Sequence, residues 1–285
     1  MGPLTSPQTI RGRYGDAVRI VTWNLWWRFG DNWEARHEAI AATLAELDAD
    51  IVCCQEIWAE QDGANQADQL GDALGMNVAH HPRFGPRGLS FSNAILSRTA
   101  IIESSSHSLA VGDPSSPEGQ QSGHRTAVVA RIAREDGEMA VICTHLEHRF
   151  HLSEIRQAQV STLCELAAPH HDPEGFPIVM AGDFNAVPSS EEIRLLTGER
   201  PPPVPGLVWS DVWAQAGDGP GFTWSGQNPY LHQAMWPNRR IDYVFVSTPR
   251  PVPQGNITSV RLIGTESVDG VVPSDHYGLV VELVD

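Results

Sequence analysis

The chain has 285 residues, of which 41% are hydrophobic and 19% charged, and a formal net charge of −16. This suits a globular protein with a sizeable core, and no apolar run approaches the roughly 18 residues that a membrane helix needs. Every one of the 19 basic residues is arginine, and an acidic surface of this kind disfavours long-range steering onto duplex DNA unless local arginines or bound cations reverse the field.

Met1 to Asp16 is polar and has no apolar core, so residues 1–18 are expected to form a flexible lead segment without an export signal. Residues 19–285 are expected to form a single domain. Within it, Arg19 to Trp23 reads as a strand. Trp33 to Leu47 carries Ala35, Ile40, Leu44 and Leu47 at helical spacing. Asp50 to Cys54 reads as a second strand and Asn65 to Leu74 as a second helix. Strand-like runs follow at Asn77 to His81, Ser92 to Leu96, Ile101 to Leu109, Thr126 to Ile132 and Met139 to Thr144. Leu152 to Ala168 predicts a helix with Ser153 as its N-cap. Pro177 to Ala181 predicts a strand and Ser189 to Leu196 a helix. The last third predicts strands at Arg240 to Ser247, Ile257 to Ile263 and Tyr277 to Val284. Gly112 to Gly123 and Gly198 to Gly206 read as loops. Two packed sheets flanked by helices, one half-sandwich from each half of the chain, fit this order.

The cysteines are Cys53, Cys54, Cys143 and Cys164, none at zinc-knuckle spacing. Buried, reduced thiols in a cytoplasmic protein are the expectation.

Polar groups recur where apolar strands end. Asn24 follows Ile20 to Trp23, Gln55 and Glu56 follow Ile51 to Cys54, and His145 follows Val141 to Thr144. Asp183 and Asn185 follow the strand at Ile178. Asp242 sits inside the run Arg239 to Val244, and Ser274, Asp275 and His276 precede the last strand. Each has an ordinary explanation as a turn former, a cap or a solvated strand end. Six such groups on what can be one sheet edge are harder to explain that way.

The set Thr22-Trp23-Asn24, Gln55-Glu56, Thr144-His145-Leu146-Glu147, Gly182-Asp183-Phe184-Asn185, Arg240-Ile241-Asp242-Tyr243 and Ser274-Asp275-His276 resembles the motifs of the endonuclease/exonuclease/phosphatase (DNase I-like) superfamily, in identity and in order. The resemblance spans about residues 19 to 284. It implies an α/β fold, a four-layer αββα sandwich of two mixed β-sheets packed face to face and flanked by helices. It implies a Mg²⁺-dependent hydrolase of phosphoester bonds, with Mn²⁺ able to substitute. Glu56 would be the main metal ligand with Asn24 beside it, and Asp275 would help to hold that metal or a second one. His276, paired with Asp242, would be the general base or would polarise the attacked phosphate. Asp183 would orient water or protonate the leaving group. Asn185 would bond a phosphoryl oxygen, and His145 would stabilise charge in the transition state. Arg125, at the start of a strand, is either a substrate contact or half of a surface salt bridge.

Other residues have plainer expectations. Arg156 and Gln159, one helical turn apart, should brace the site from behind. Trp26, Trp27 and Trp236 should serve packing and loop anchoring, with cleft lining as the sharper alternative. His145, His148 and His151 step by three, which raises a zinc-site reading that their straddling of a strand end weakens. The family motifs do not discriminate between a phosphodiesterase or nuclease and a phospholipid or small-molecule phosphoesterase. A catalytically inactive binding module is the alternative of another class, weakened because Glu56 and His276 are both present. The expected partner is a phosphoester substrate, nucleic acid among the candidates, with no stable membrane association and a monomeric state.

Overall fold

The computed structural model describes residues 17–112, 125–232 and 236–285. Most of the expected lead segment and of the loop from Gly112 to Gly123 lies outside them. Ala17 and Val18, assigned to that segment, already belong to the first strand.

The first sheet holds β1 (Ala17–Asn24), β2 (Ile51–Glu60), β3 (Asn77–His80), β4 (Leu89–Ser97), β11 (Ile257–Ile263) and β12 (Gly278–Val284) in the order β11-β12-β1-β2-β4-β3. The second holds β5 (Ile101–Ser108), β6 (Thr126–Arg134), β7 (Gly137–His145), β8 (Val179–Asp183), β9 (Val208–Asp211) and β10 (Asp242–Thr248) in the order β5-β6-β7-β8-β10-β9. The division is therefore not one sheet per half-chain. β11 and β12 return from the C-terminal third to complete the first sheet, because β12 pairs antiparallel with β1 from Ala17 to Thr22.

Strand alternation sorts the apolar residues into layers. Ile20, Ile51, Cys53 and Ile95 of the first sheet meet Val128, Val141, Val179 and Val244 of the second in a central core. Their sequence neighbours Val21, Val52 and Cys54 face outward onto Ile40 and Leu44 of α1 (Trp33–Leu47) and Leu70 of α2 (Gln66–Leu74). Ile142 and Met180 likewise meet Val160 and Leu163 of α3 (Ser153–Ala167) and Ile193 and Leu196 of α4 (Glu191–Thr197). The result is the αββα sandwich that the resemblance implies. The cysteines are buried and free.

Several boundaries move for identifiable reasons. Asn65 is the N-cap of α2, its side chain accepting from the Ala67 N–H. Ser153 is not the cap of α3 but its first residue, and its hydroxyl donates to Glu192 Oε2 at 2.7 Å. Strand β9 and the short helix α5 (Val212–Ala216) carry no periodic signal of adequate length. They form because Asp211 caps the helix and Trp213 fills the core between the sheets.

Candidate active site

Two parallel pairs, β1 with β2 and β7 with β8, end on the same edge of the sandwich. β12 runs antiparallel to β1 and β10 antiparallel to β8, so both start at that edge. Asn24, His145 and Asp183 are thus last residues of strands, Asp242 is a first residue, and Asp275 and His276 stand just before β12. Parallel ends and antiparallel starts bring residues far apart in sequence into one cluster.

Glu56 arrives differently. β2 does not end at Cys54 but runs on to Glu60, and its register against β4 shifts between Cys54 and Ile57. Glu56 sits in that bulge with φ of 57°, a left-handed conformation uncommon for a non-glycine residue. The bulge re-aims a side chain that regular alternation would direct elsewhere. Asn185, with φ of 51°, makes a comparable turn after β8.

Gly182 sets the approach of β7 to β8. A Cβ on it would lie 2.0 Å from the Thr144 carbonyl oxygen, and its φ is 150°. Gly182→Ala is therefore expected to lower stability by about 3 kcal/mol, because the clash is with backbone and neither parallel strand can shift without disturbing its ladder. A urea melt checks this, and a loss below about 1 kcal/mol would show that the strands yield more easily than their packing implies.

Within the cluster, His276 Nδ1 lies 2.9 Å from Asp242 Oδ2, and its Nε2 lies 3.8 Å from Asp183 Oδ2. The indole of Trp224 meets the imidazole edge-on at 4.8 Å between centroids. Both His276 and Asp242 are buried. Burial works against the imidazolium, yet Asp242, Asp183 and Asp275 together hold His276 well above the usual histidine range. The carboxylates thus favour its imidazolium form. Asp183 is pushed up to about 7, first by burial and then by Asp242. Its Oδ2 accepts from the Asn24 amide at 3.1 Å and lies 3.3 Å from His145 Nε2. Its Oδ1 accepts from the Asn185 backbone N–H at 2.9 Å. Burial and Arg125 push His145 well down, so its ring is neutral. The Asn185 amide donates to the Leu146 carbonyl at 3.1 Å.

Toward β2, the Asn24 amide also donates to Glu56 Oε1 at 3.1 Å, while its oxygen accepts from the Trp26 N–H at 3.0 Å. Asn24 thus turns its nitrogen, not its oxygen, to the carboxylates and joins Glu56 to Asp183. Burial raises Glu56, and Asp183 adds to the effect. Burial also raises Asp275, to about 7, with Glu56 contributing. Glu56 Oε2 is buried with no hydrogen-bond partner. A buried carboxylate oxygen without a donor, beside further carboxylates, is a poor resting state without a cation. The donor set of carboxylate oxygens suits a hard divalent ion such as Mg²⁺ or Mn²⁺. Asp183, Asp242 and His276 also bring one ligand atom each within 4.8 Å of one another, the one acid, histidine or cysteine group so gathered among the described residues. The zinc reading of His145, His148 and His151 has no such grouping there.

Bracing residues surround the cluster. Arg36 was not singled out from the sequence, where it is one polar position on an amphipathic helix. It is almost fully buried and donates to the carbonyls of Leu25, Trp26, Trp27, Phe29 and Pro273. It ties the loop after Asn24 to the loop before Asp275. Arg156 donates to the carbonyls of Glu147, Arg149 and Phe150, and Gln159 accepts from the Glu147 N–H. Both hold the turn after His145, as expected of residues behind a site. Trp26 stacks obliquely on Tyr230, and Trp27 donates to the Ser90 carbonyl. Trp236 is 55% exposed and meets Phe150 edge-on. Trp224, which the sequence places shortly before the Asp242 strand and reads as packing, is the tryptophan whose ring meets His276. Arg125 has no carboxylate in ion-pair range among the described residues; it approaches His148 Nδ1 at 3.1 Å.

Comparison with known proteins agrees with this fold. The profile of the Endonuclease/Exonuclease/phosphatase family matches residues 21–276. No curated protein matches by sequence. Among solved structures, TDP2 from D. rerio in complex with a single-strand DNA product superposes with a TM-score of 0.74 at 19% identity, over 94% of this chain and 99% of that one. An endonuclease/exonuclease/phosphatase from Bacteroides vulgatus gives 0.72 at 20% identity, over 95% and 100%. TDP2 from C. elegans gives 0.71 at 18% identity, over 97% and 78%. At these identities the likeness is one of fold.

Proposed function

This chain belongs to the endonuclease/exonuclease/phosphatase family, and on that premise we propose that it is a divalent-cation-dependent phosphodiesterase. One observation carries the reading: the buried carboxylates of Asp183, Asp242 and Asp275, with the partly buried Glu56 beside them, converge with His276 at a single sheet edge. A scatter of structural ion pairs would not leave so many acids around one imidazole.

Glu56 and Asp275 would hold the cation, Mg²⁺ or Mn²⁺, with Asn24 fixing the Glu56 carboxylate. Bound there, the ion would polarise the phosphoryl group and neutralise the leaving oxygen. The other roles fall to the chain itself. His276, charged and held by Asp242, donates a hydrogen bond from Nε2 to a non-bridging phosphoryl oxygen. This favours the polarising role over that of general base. Asp183, whose proton affinity lies near neutrality, orients the attacking water and accepts its proton. Asn24 and the Asn185 N–H keep that carboxylate in place. Neutral His145 donates toward Asp183 and faces the phosphoryl group beside Arg125. The Asn185 amide would exchange its carbonyl contact for a phosphoryl oxygen when substrate enters.

Hydrolysis of bis-p-nitrophenyl phosphate, dependent on Mg²⁺ or Mn²⁺ and abolished by EDTA, is the expected result. A pure, folded protein that fails to hydrolyse it with either ion would instead support the binding-module reading. The pH profile gives a second test. Asp183 must be ionised to accept a proton, so kcat/KM should rise as pH climbs through about 7. Asp183→Asn should remove that rise along with most of the activity. A rise that persists in the variant would assign it to another group. The single-strand DNA product seen with D. rerio TDP2 makes a nucleic-acid substrate the natural first choice within the diester class.

A further inference from the structure

Beside the cluster lies a cavity of about 470 Å³ whose lining includes His81, Arg83, Leu89, Phe91, Arg125 and Arg149. Its volume is that of a small-molecule pocket, enough for one nucleotide unit. It adjoins the hydrolytic centre on two counts. The Phe91 ring lies 6.0 Å from the His145 ring, and Arg125, its charge disfavoured by burial but favoured by Asp183 and Glu56, stands beside that centre.

The lining combines two features that rarely meet by chance on this protein. Against a net charge of −16, it gathers Arg83, Arg125 and Arg149 in one place. Arg83 is exposed and forms no ion pair or hydrogen bond among the described residues. Arg149 Nη1 has no hydrogen-bond partner and lies 3.6 Å from Glu147 Oε1. The acid in the lining, Glu147, already accepts from the Arg149 backbone N–H at 3.1 Å and lies 3.3 Å from His148. Arg83 is thus left over for an external anion, and three arginines against the one acid leave the lining positive. Phe91 is 39% exposed on the same wall, an aromatic face that core packing does not need.

We propose that this cavity is a nucleotide subsite, receiving the residue next to the scissile phosphoester of a single-stranded nucleic acid, with its base on Phe91 and its phosphate among Arg83, Arg125 and Arg149. The inference rests on the phosphodiesterase reading for the meaning of "scissile", not for the binding. Base–aromatic stacking requires a base free of its partner, which selects a single strand over a duplex. Guanidinium groups suit phosphate oxygens through paired N–H donors. An acyl chain would gain nothing from Arg83, Arg125 and Arg149, which share the lining with Leu89 and Phe91.

Arg83→Glu and Phe91→Ala are compared with the unmodified protein on bis-p-nitrophenyl phosphate and on a hexathymidylate. The ratio of kcat/KM for the oligonucleotide to that for the small diester is expected to fall about tenfold or more in each variant. Fluorescence polarisation of a labelled hexathymidylate in EDTA should show a matching loss of affinity, and a shallower salt dependence for Arg83→Glu. Ratios and affinities within about twofold of the unmodified protein would overturn the subsite, given melts that show both variants folded. Loss on phospholipid vesicles with the oligonucleotide ratio intact would overturn it in favour of a lipid site. If the unmodified protein hydrolyses neither substrate, the phosphodiesterase reading fails, and the polarisation result alone decides the subsite.

Discussion

His276→Ala is expected to lower kcat/KM on a phosphodiester by about a thousandfold, with little change in metal affinity. Loss of one charged, preorganised donor to a developing oxyanion is worth about 10²–10³, and removal of the charge that balances Asp183 adds to it. Asp242→Asn tests the pairing. The Nδ1–Oδ2 contact of 2.9 Å gives Asp242 its hold on the imidazole, and burial leaves the ring no competing water. An asparagine keeps the shape but not the charge that keeps His276 protonated. Its effect should therefore run through His276, so the double variant should be little slower than His276→Ala alone. Multiplying losses would mean that Asp242 acts on the substrate or water separately. The same pair predicts an alkaline limb: activity should fall only well above pH 7, and Asp242→Asn should move that fall toward neutrality.

Glu56→Ala is expected to act in opposite directions with and without metal. In Mg²⁺ or Mn²⁺ the variant should lose most turnover, and any residual activity should need about 10- to 100-fold more ion. In EDTA it should melt higher than the unmodified protein. Glu56 Oε2 is buried without a partner, and leaving such an oxygen unsatisfied costs about 1–3 kcal/mol. The sign of the pH dependence follows. Glu56, Asp183 and Asp275 bind protons more tightly folded than unfolded, the last two to about 7. Between about pH 4 and that value the native state holds more protons, so the metal-free protein loses stability as pH rises. A divalent cation should reduce that loss, and Glu56→Ala should weaken the reduction. Thermal melts across pH, with and without Mg²⁺, measure both. A variant that keeps the full metal-induced rise in melting temperature would remove Glu56 from the metal site.

These predictions draw unequally on what the chain reveals unfolded. The strands at Ile257–Ile263 and the helix at Trp33–Leu47 were legible to the residue, because their apolar spacing has the right period and length. Asn24, His145, Asp183, Asp242, Asp275 and His276 were legible as polar groups beside strand ends, and family resemblance grouped them. Glu56 was legible as a residue but not as a geometry: a bulge depends on how two strands count against each other, and one strand cannot show that. The sheet assignment of β11 and β12 was illegible for the same reason, since pairing is decided between segments. Arg36 escaped notice because a buried arginine reads in sequence like any helix residue, and Trp224 reads as a packing residue because its contact with His276 is made only by the fold.

The amino-acid order by itself determined the layers and the inventory: which stretches bury apolar faces, and which acids, amides and histidines lie beside the strands. These follow from periodicity and composition, which are local. The tertiary structure alone decided what that inventory does. Parallel ends and antiparallel starts meeting at one edge place Asp183, Asp242 and His276 within reach of one another. Burial, absent in the open chain, raises Asp183 and leaves a Glu56 oxygen without a partner, while the gathered carboxylates raise His276 against it. A charge costs little where water surrounds it and much where other charges do, so the reactivity of this site belongs to the fold.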